Sequence, residues 1–324
     1  MELFKTPVGV GALKLKNRIV MAPYDTGKAV NGCPSEEMIR HYRERAKGIG
    51  LVIVEHEHVL RDGMAHARQL SMARDDVIDD FKRLTDAVHE EGSYVFAQIS
   101  HSGAVAKDSG LPPVAPSAVS VRGSDIPVEM NQDDIRRVVK GFADAAVRAK
   151  KAGFDGVEIH AAHGFLLNQF YSPLVNRRQD EYSVRPMENR IRLHLEIIRA
   201  IKEAVGTDFP VAIRFGGCDY SDNGSRISDI PQAVKAFEDA GADLIDISGG
   251  MIGSRRPGHT EPGYFKDMSL AAKTAVSVPI ILTGGVTAAQ EMESLLKEQA
   301  ADLIGIGRAL NMDAQWAVKA LAGY

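Results

Sequence analysis

Two histidines, His160 and His163, stand three residues apart at the end of a short apolar run, Val157 to Ile159. A run of that kind reads as a buried strand, and side chains just past its carboxyl end can face one pocket. Taken alone, the pair could be structural or could ligate a metal, although a metal would want a third ligand. The segment that follows, Gly164 to Pro186, is neither periodic nor of low complexity. It is dense in Asn168, Gln169, Asn176, Arg177, Arg178, Asp180 and Tyr182. So many polar side chains beside a buried strand suggest a site.

The elements that must position these residues are legible as apolar runs rich in Val and Ile. Eight recur: Arg18 to Ala22, Leu51 to Glu55, Tyr94 to Ile99, Gly156 to His160, Val211 to Phe215, Leu244 to Ser248, Pro279 to Thr283 and Asp302 to Ile306. Amphipathic segments alternate with them, at about residues 35–47, 76–91, 132–152, 188–205, 228–240, 265–275, 287–298 and 313–321. Ser35 with Glu36 and Glu37, and Ser228 with Asp229, supply a capping hydroxyl and first-turn acids. Eight strands alternating with eight helices and no spare strand predict a single-domain (β/α)₈ TIM barrel over residues 1–324, rather than an open doubly wound sheet. Glu55, Gln98, His160, Arg214, Ser248 and Thr283 fall at or near strand carboxyl ends, the face on which barrel enzymes build their sites. Two connections, residues 101–131 and 164–186, are longer than a barrel needs and belong to that same face.

After the last two strands come T-G-G-V at Thr283 to Val286 and G-I-G-R at Gly305 to Arg308. Glycines there let backbone N–H groups approach a phosphate, with Arg308 as counter-charge, or simply make tight turns. Neither a G-x-G-x-x-G after the first strand nor a Walker pattern is present.

Composition narrows the partners. The 324 residues are 44% hydrophobic and 25% charged with a net charge of −4, which gives no basic footprint for nucleic acid or an anionic membrane. No run approaches the ~18 apolar residues of a membrane span, and the N-terminus carries no apolar signal core, so a cytoplasmic location is expected. Cys33 and Cys218 lie far apart without a C-x-x-C pair, and no metal site is expected.

The motifs resemble the Old Yellow Enzyme family of FMN-dependent ene-reductases and NADH:flavin oxidoreductases. The likeness runs from K-N-R-I-V-M-A-P (Lys16 to Pro23) through H-Y-R-E-R-A (His41 to Ala46), A-Q-I-S-H-S-G (Ala97 to Gly103) and A-P-S-A (Ala115 to Ala118). It continues in A-G-F-D-G-V-E-I-H-A-A-H-G (Ala152 to Gly164), N-R-R-Q-D-E-Y and E-N-R, and ends on G-I-G-R-A-L. The resemblance implies the same barrel with FMN at its carboxyl-end mouth and NADH or NADPH as electron donor. Pro23, Tyr24, Asp25, Gln98, Arg214 and Gly250 would contact the flavin, and Gly284, Gly285, Gly307 and Arg308 its phosphate. His160 and His163 would grip the oxygen of an electrophilic alkene beside Phe165. A homo-oligomer is left open, and the length and cysteine content imply neither the iron–sulfur cluster nor the added nucleotide domains of longer relatives.

Three departures stand out. Phe165 replaces a tyrosine that in the family protonates the α-carbon, and a phenyl ring has no proton to give. Asp25 replaces a Thr or Cys. Protonated by burial, it could be the substitute acid; alternatively it turns to a backbone or arginine partner. Tyr24 is the other candidate donor. Ala104 and the S-V-R-P after Tyr182 alter the rim. A flavin-dependent isomerase or dehydrogenase is the alternative these departures motivate. A non-flavin barrel lyase would want a Schiff-base lysine at a strand end, and none of the eight strands carries one.

Overall fold

The computed structural model describes residues 2–323. Eight parallel strands close into a barrel: β3 (Ile19–Met21), β4 (Leu51–His58), β5 (Tyr94–Ser100), β8 (Gly156–Ala161), β9 (Val211–Phe215), β10 (Leu244–Ile247), β11 (Ile280–Thr283) and β12 (Leu303–Ile306), with β12 pairing back onto β3. These are the eight runs expected from the sequence. Helices α1 (Glu36–Ala46), α2 (Ile78–His89), α3 (Gln132–Lys151), α6 (Arg192–Val205), α7 (Ile230–Asp239), α8 (Lys266–Lys273), α9 (Ala289–Lys297) and α11 (Trp316–Ala322) cover the outside, and the short helices α4 (Leu166–Tyr171), α5 (Met187–Arg190) and α10 (Arg308–Met312) lie in the connections. No helix among the described residues is long and apolar enough to cross a membrane.

Strand periodicity explains how one sheet holds both a core and a site. Successive side chains alternate faces. Val20, Leu51, Ile53, Phe96, Ala212, Leu244, Ile281 and Leu303 therefore form an apolar floor inside the barrel. Two residues further along β5, β9, β10 and β11, the same face presents Gln98, Arg214, Asp246 and Thr283, with Glu158 beside them on β8. Register brings these together: Gln98 lies opposite Glu158, His160 opposite Arg214, and Arg214 opposite Asp246.

Four features differ from the sequence reading. An N-terminal hairpin, β1 (Val8–Val10) with β2 (Leu13–Leu15), precedes the barrel and packs Val10 and Leu15 against the apolar floor. Its strands of three residues are too short to show alternation. A second pair, β6 (Val114–Ala115) with β7 (Val128–Glu129), lies inside the long third connection. Strand β4 runs three residues past Glu55, with a register shift between Val54 and Glu57. Finally, α7 begins at Ile230 after a 3₁₀ turn, so Ser228 does not cap it; Asp229 Oδ2 instead accepts from Arg226 N–H.

Because Leu15 is fully buried under the floor, Leu15→Ala is expected to cost about 2–5 kcal/mol of stability through a cavity at the barrel base. Urea unfolding checks this, and a loss below about 1 kcal/mol would show that the hairpin is not a structural plug.

Candidate active site

At the carboxyl end of the barrel two adjoining cavities of about 360 Å³ each share Pro23, Tyr24, Arg214 and Ser254. One is closed by Asp25, Glu55, His56, Gln98, His160, His163 and Phe165; the other by Thr283, Gly284, Gly285, Gly307, Arg308, Arg255 and Tyr264. The first is a polar chamber over the barrel core and the second a glycine- and arginine-lined slot. Gly250 lines neither. It is buried behind them, where a side chain would meet Asp219 and Cys218.

Beneath the chamber lies a buried ionic layer. Arg214 Nε is 3.0 Å from Asp246 Oδ2, whose other oxygen accepts from Thr283 Oγ1 at 3.1 Å. Gln98 Nε2 donates to Glu158 Oε1 at 2.7 Å, which leaves Gln98 Oε1 as an acceptor for the chamber. Burial raises both acids, Glu158 to about 8 and Asp246 to about 6; the neighbouring Asp246 raises Glu158 further, and Arg214 opposes the shift in both. The cation thus favours charge on Asp246 while Glu158 keeps its proton. Glu57 is deeper still, with both carboxyl oxygens buried and unpartnered, and burial with Glu55 and Glu158 nearby pushes it well above its ordinary 4.5.

His160 and His163 do share one pocket, with ring centroids 5.0 Å apart and planes at 83°. His163 sits at φ +57°, a left-handed conformation that costs a non-glycine residue about 1–3 kcal/mol and is found where structure over-determines it. Its N–H donates to Gly249 O at 3.0 Å, and its Nε2 lies 2.7 Å from Ser248 Oγ. Ala162 N–H donates to His160 Nδ1, so the His160 proton is on Nε2. Burial holds both imidazoles well below the ordinary histidine range, helped by His163 and Arg214 beside His160 and by Arg214 and Arg122 beside His163. They are neutral hydrogen-bond donors at neutral pH. The Phe165 ring stacks at a tilt 4.7 Å from His160 and 5.3 Å from His56.

Asp25 does not keep a proton. Burial would raise it, but contacts from His56 and His66 prevail and hold it far below the usual carboxylate range. Its Oδ2 is 2.8 Å from His66 Nε2 and 3.8 Å from His56 Nε2, while Oδ1 accepts from Gly27 N–H. The partner it turns to is thus a histidine pair, a possibility the sequence did not raise. The loop carrying Asp25 is pinned by Glu55, which accepts from Thr26 N–H, Thr26 Oγ1 and Tyr42 Oη. Burial lifts Glu55 to about 7.

The polar segment 164–186 has a different purpose from the one its composition suggested. Gln169 accepts from Ala104 N–H and donates to Ser102 O and Gly164 O. Arg178 donates to Pro116 O and Met130 O, and Arg177 N–H to Ser117 Oγ. These side chains brace the long third connection against the barrel rim; only Phe165 of this segment lines the chamber. His56, His66, Ser254, Arg255 and Tyr264 are site residues that the sequence reading passed over. The signal for the first was the E-H-E-H at a strand end, whose odd and even positions both carry polar groups.

A model of the NADH:flavin oxidoreductase / NADH oxidase family matches residues 2–324. The chain belongs to that family. It is 38% identical to an NADH oxidase of Thermoanaerobacter brockii over 97% of this chain and 50% of that protein. It is 37% identical to an NADPH dehydrogenase of Geobacillus thermodenitrificans over 96% of this chain and 91% of that one. It therefore spans about half the length of the first and nearly all of the second. A solved old yellow enzyme homologue from Zymomonas mobilis superposes with a TM-score of 0.88 at 28% identity, over 99% of this chain and 93% of that one.

The cofactor of the family is FMN, and the residues present fit it. Gln98 Oε1 and Arg214 offer an acceptor and a cation to a flavin's polar edge. A side chain on Gly307 would meet nothing within 4 Å, so its backbone faces open space in the slot beside Arg308. Gly284 and Gly285 are required for another reason as well: both have positive φ, and a side chain on either would strike Tyr264 or Glu261.

Two outcomes follow from this geometry. Arg308→Ala should weaken FMN binding by about tenfold or more while leaving riboflavin affinity unchanged, as read by flavin fluorescence quenching. Glu57 stays protonated in the fold but ionises when unfolded, so the native state binds the extra proton and stability falls as pH rises above 4.5. Denaturation midpoints of Glu57→Gln relative to wild type should be pH-independent below that value. Above it they should improve by at most about 1.4 kcal/mol per pH unit; a difference that stays flat to pH 8 would show that Glu57 is ionised in the fold.

Proposed function

We propose that this protein is an NAD(P)H-dependent FMN oxidoreductase that reduces the activated C=C bond of an enone, enal, maleimide or nitroalkene held by His160 and His163. The observation that carries this reading is the pair of neutral imidazoles, His160 buried and His163 half-buried, facing the same chamber as Gln98 and Arg214. FMN held here would supply the two-electron hydride chemistry that links the reduced nicotinamide to the alkene. The protein's own residues do the rest.

Neutral imidazoles suit an oxygen that gains negative charge during reaction. They donate hydrogen bonds without first neutralising the substrate, and in a water-poor chamber such preorganised donors stabilise the developing oxyanion. The bond from the Ser248 hydroxyl to His163 Nε2, which leaves the His163 proton on Nδ1, the His160 tautomer set by Ala162 N–H, and the left-handed backbone at residue 163 hold those donors in place before substrate arrives. Arg214 offers a fixed positive charge to the reduced cofactor's polar edge, and Asp246 keeps that guanidinium from turning away. The family match and the likeness to an NADPH dehydrogenase support the nicotinamide donor.

Substitution of either histidine tests the reading. His160→Ala and His163→Ala should each lower kcat/KM for cyclohexenone on the order of 10²-fold, the usual loss for one oxyanion donor. FMN content should not change. Variants that reduce the enone at the wild-type rate would remove the histidine clamp from the account.

A further inference from the structure

Reduction of an alkene needs more than the oxygen clamp. An alkene that takes a hydride at its β-carbon pushes its π pair onto the α-carbon and the conjugated oxygen, and the α-carbon must then take a proton. The groups lining the chamber narrow the source. His160 and His163 are neutral and have only the N–H with which they bind. Phe165 has none. Glu55 is surrounded by donors on both oxygens, from Thr26 and Tyr42, and so is built as an acceptor. Asp25 remains, together with the two imidazoles around it and the phenol of Tyr24.

The two imidazoles are not equivalent. Ala65 N–H donates to Gln69 Oε1 at 2.6 Å, which turns the Gln69 amide nitrogen to His56 Nδ1 at 2.7 Å. Nδ1 is therefore an acceptor, and the His56 proton is on Nε2, aimed at Asp25. Asp25, His56 and His66 bring three ligating atoms within 4.8 Å of one another, as a metal site would. The protonated Nε2 of His56 takes its lone pair out of ligation. His66 is the opposite case: it is partly open to solvent, and its hydrogen bond to Asp25 raises its affinity for a proton. The charged groups facing it are Asp25 and Glu55, which favour the cation, and Arg68, which opposes it.

We propose that Asp25 and His66 form the proton-delivery couple of this chamber, in place of a phenol at position 165. Asp25 is the catalytic group, since it lines the chamber. His66 acts through it, and the His56 Nε2–H faces the same carboxylate oxygen at 3.8 Å. The His66 Nε2–H bond breaks as its proton passes to Asp25 Oδ2, and that new Oδ2–H bond breaks in turn as the same proton forms the C–H bond at the α-carbon. The alkene has then gained one hydride and one proton, Asp25 is again an anion, and His66 is neutral until bulk water reprotonates it. This rests on the alkene-reducing reading above.

The experiment uses FMN-loaded enzyme, reduced without oxygen and mixed with 2-methylcyclohex-2-enone in a single turnover. The wild-type rate of flavin reoxidation should fall as pH rises through the His66 pKa, because only the cation holds the proton to be delivered. Asp25→Asn and Asp25→Ala should be slower by about 10²-fold. His66→Gln should be slower by about tenfold and lose the pH dependence. In D₂O the wild type should place deuterium on one face of the α-carbon, and the Asp25 variants should lose that preference. A second measurement needs no turnover: by NMR the His66 ring should titrate above the ordinary histidine range, and return to it in Asp25→Asn. Variants with wild-type rates, pH profile and facial selectivity would overturn the proposal and leave Tyr24 or water as the donor. So would one equivalent of zinc held by the wild type and lost in His66→Gln. Reduced wild type that no alkene reoxidises would overturn the functional reading and the proposal together.

Discussion

The contact between Arg214 and Asp246 is the interaction on which the active face depends. A guanidinium inside a barrel loses most of its hydration, and an unpaired one would cost several kcal/mol. Asp246, one strand over and in register, offsets that cost, and Thr283 holds the far side of the carboxylate. The same Arg214 lines both cavities, so the pair fixes a positive charge at the junction of chamber and slot. Around it the remaining acids are managed by protonation. Glu158 and Glu57 are raised by burial and stay neutral, which keeps the buried layer near one cation and one anion. Removing either member of the pair would strand the other; breaking a buried pair in this way generally costs about 3–5 kcal/mol.

Much of this was legible in the sequence because a parallel barrel strand is buried on both faces and reads as an unbroken apolar run. The eight runs stood out for that reason, and the polar residues that interrupt their carboxyl ends marked the active face. What could not be read has a physical cause in each case. The plugging hairpin has strands of three residues, below the length at which alternation declares itself. The polar segment after His163 looked like a site because composition does not distinguish a side chain facing a cavity from one satisfying buried backbone groups, as Arg178 and Gln169 do. Asp25 looked free to be neutral because its partners, His56 and His66, reach it from β4 and the connection after it.

The substitution of phenylalanine at position 165 takes on meaning from those partners. A chamber without a phenol can still carry out net reduction if a carboxylate at its wall is backed by an imidazolium that solvent recharges. The price is sensitivity to pH, since His66 must hold a proton while His160 and His163 must not. The fold separates these needs by depth: His160 is buried and His163 half-buried beside Arg214, and His66 sits near the surface against Asp25.

In the proposed cycle one chamber takes hydride equivalents from a nicotinamide and gives them to an alkene. Its most direct test follows the flavin absorbance of purified protein through both halves of the cycle without oxygen. NADH or NADPH should bleach the flavin, and N-ethylmaleimide should then restore the colour with one equivalent of N-ethylsuccinimide formed per FMN. A flavin that bleaches but recovers only when oxygen is admitted would contradict it.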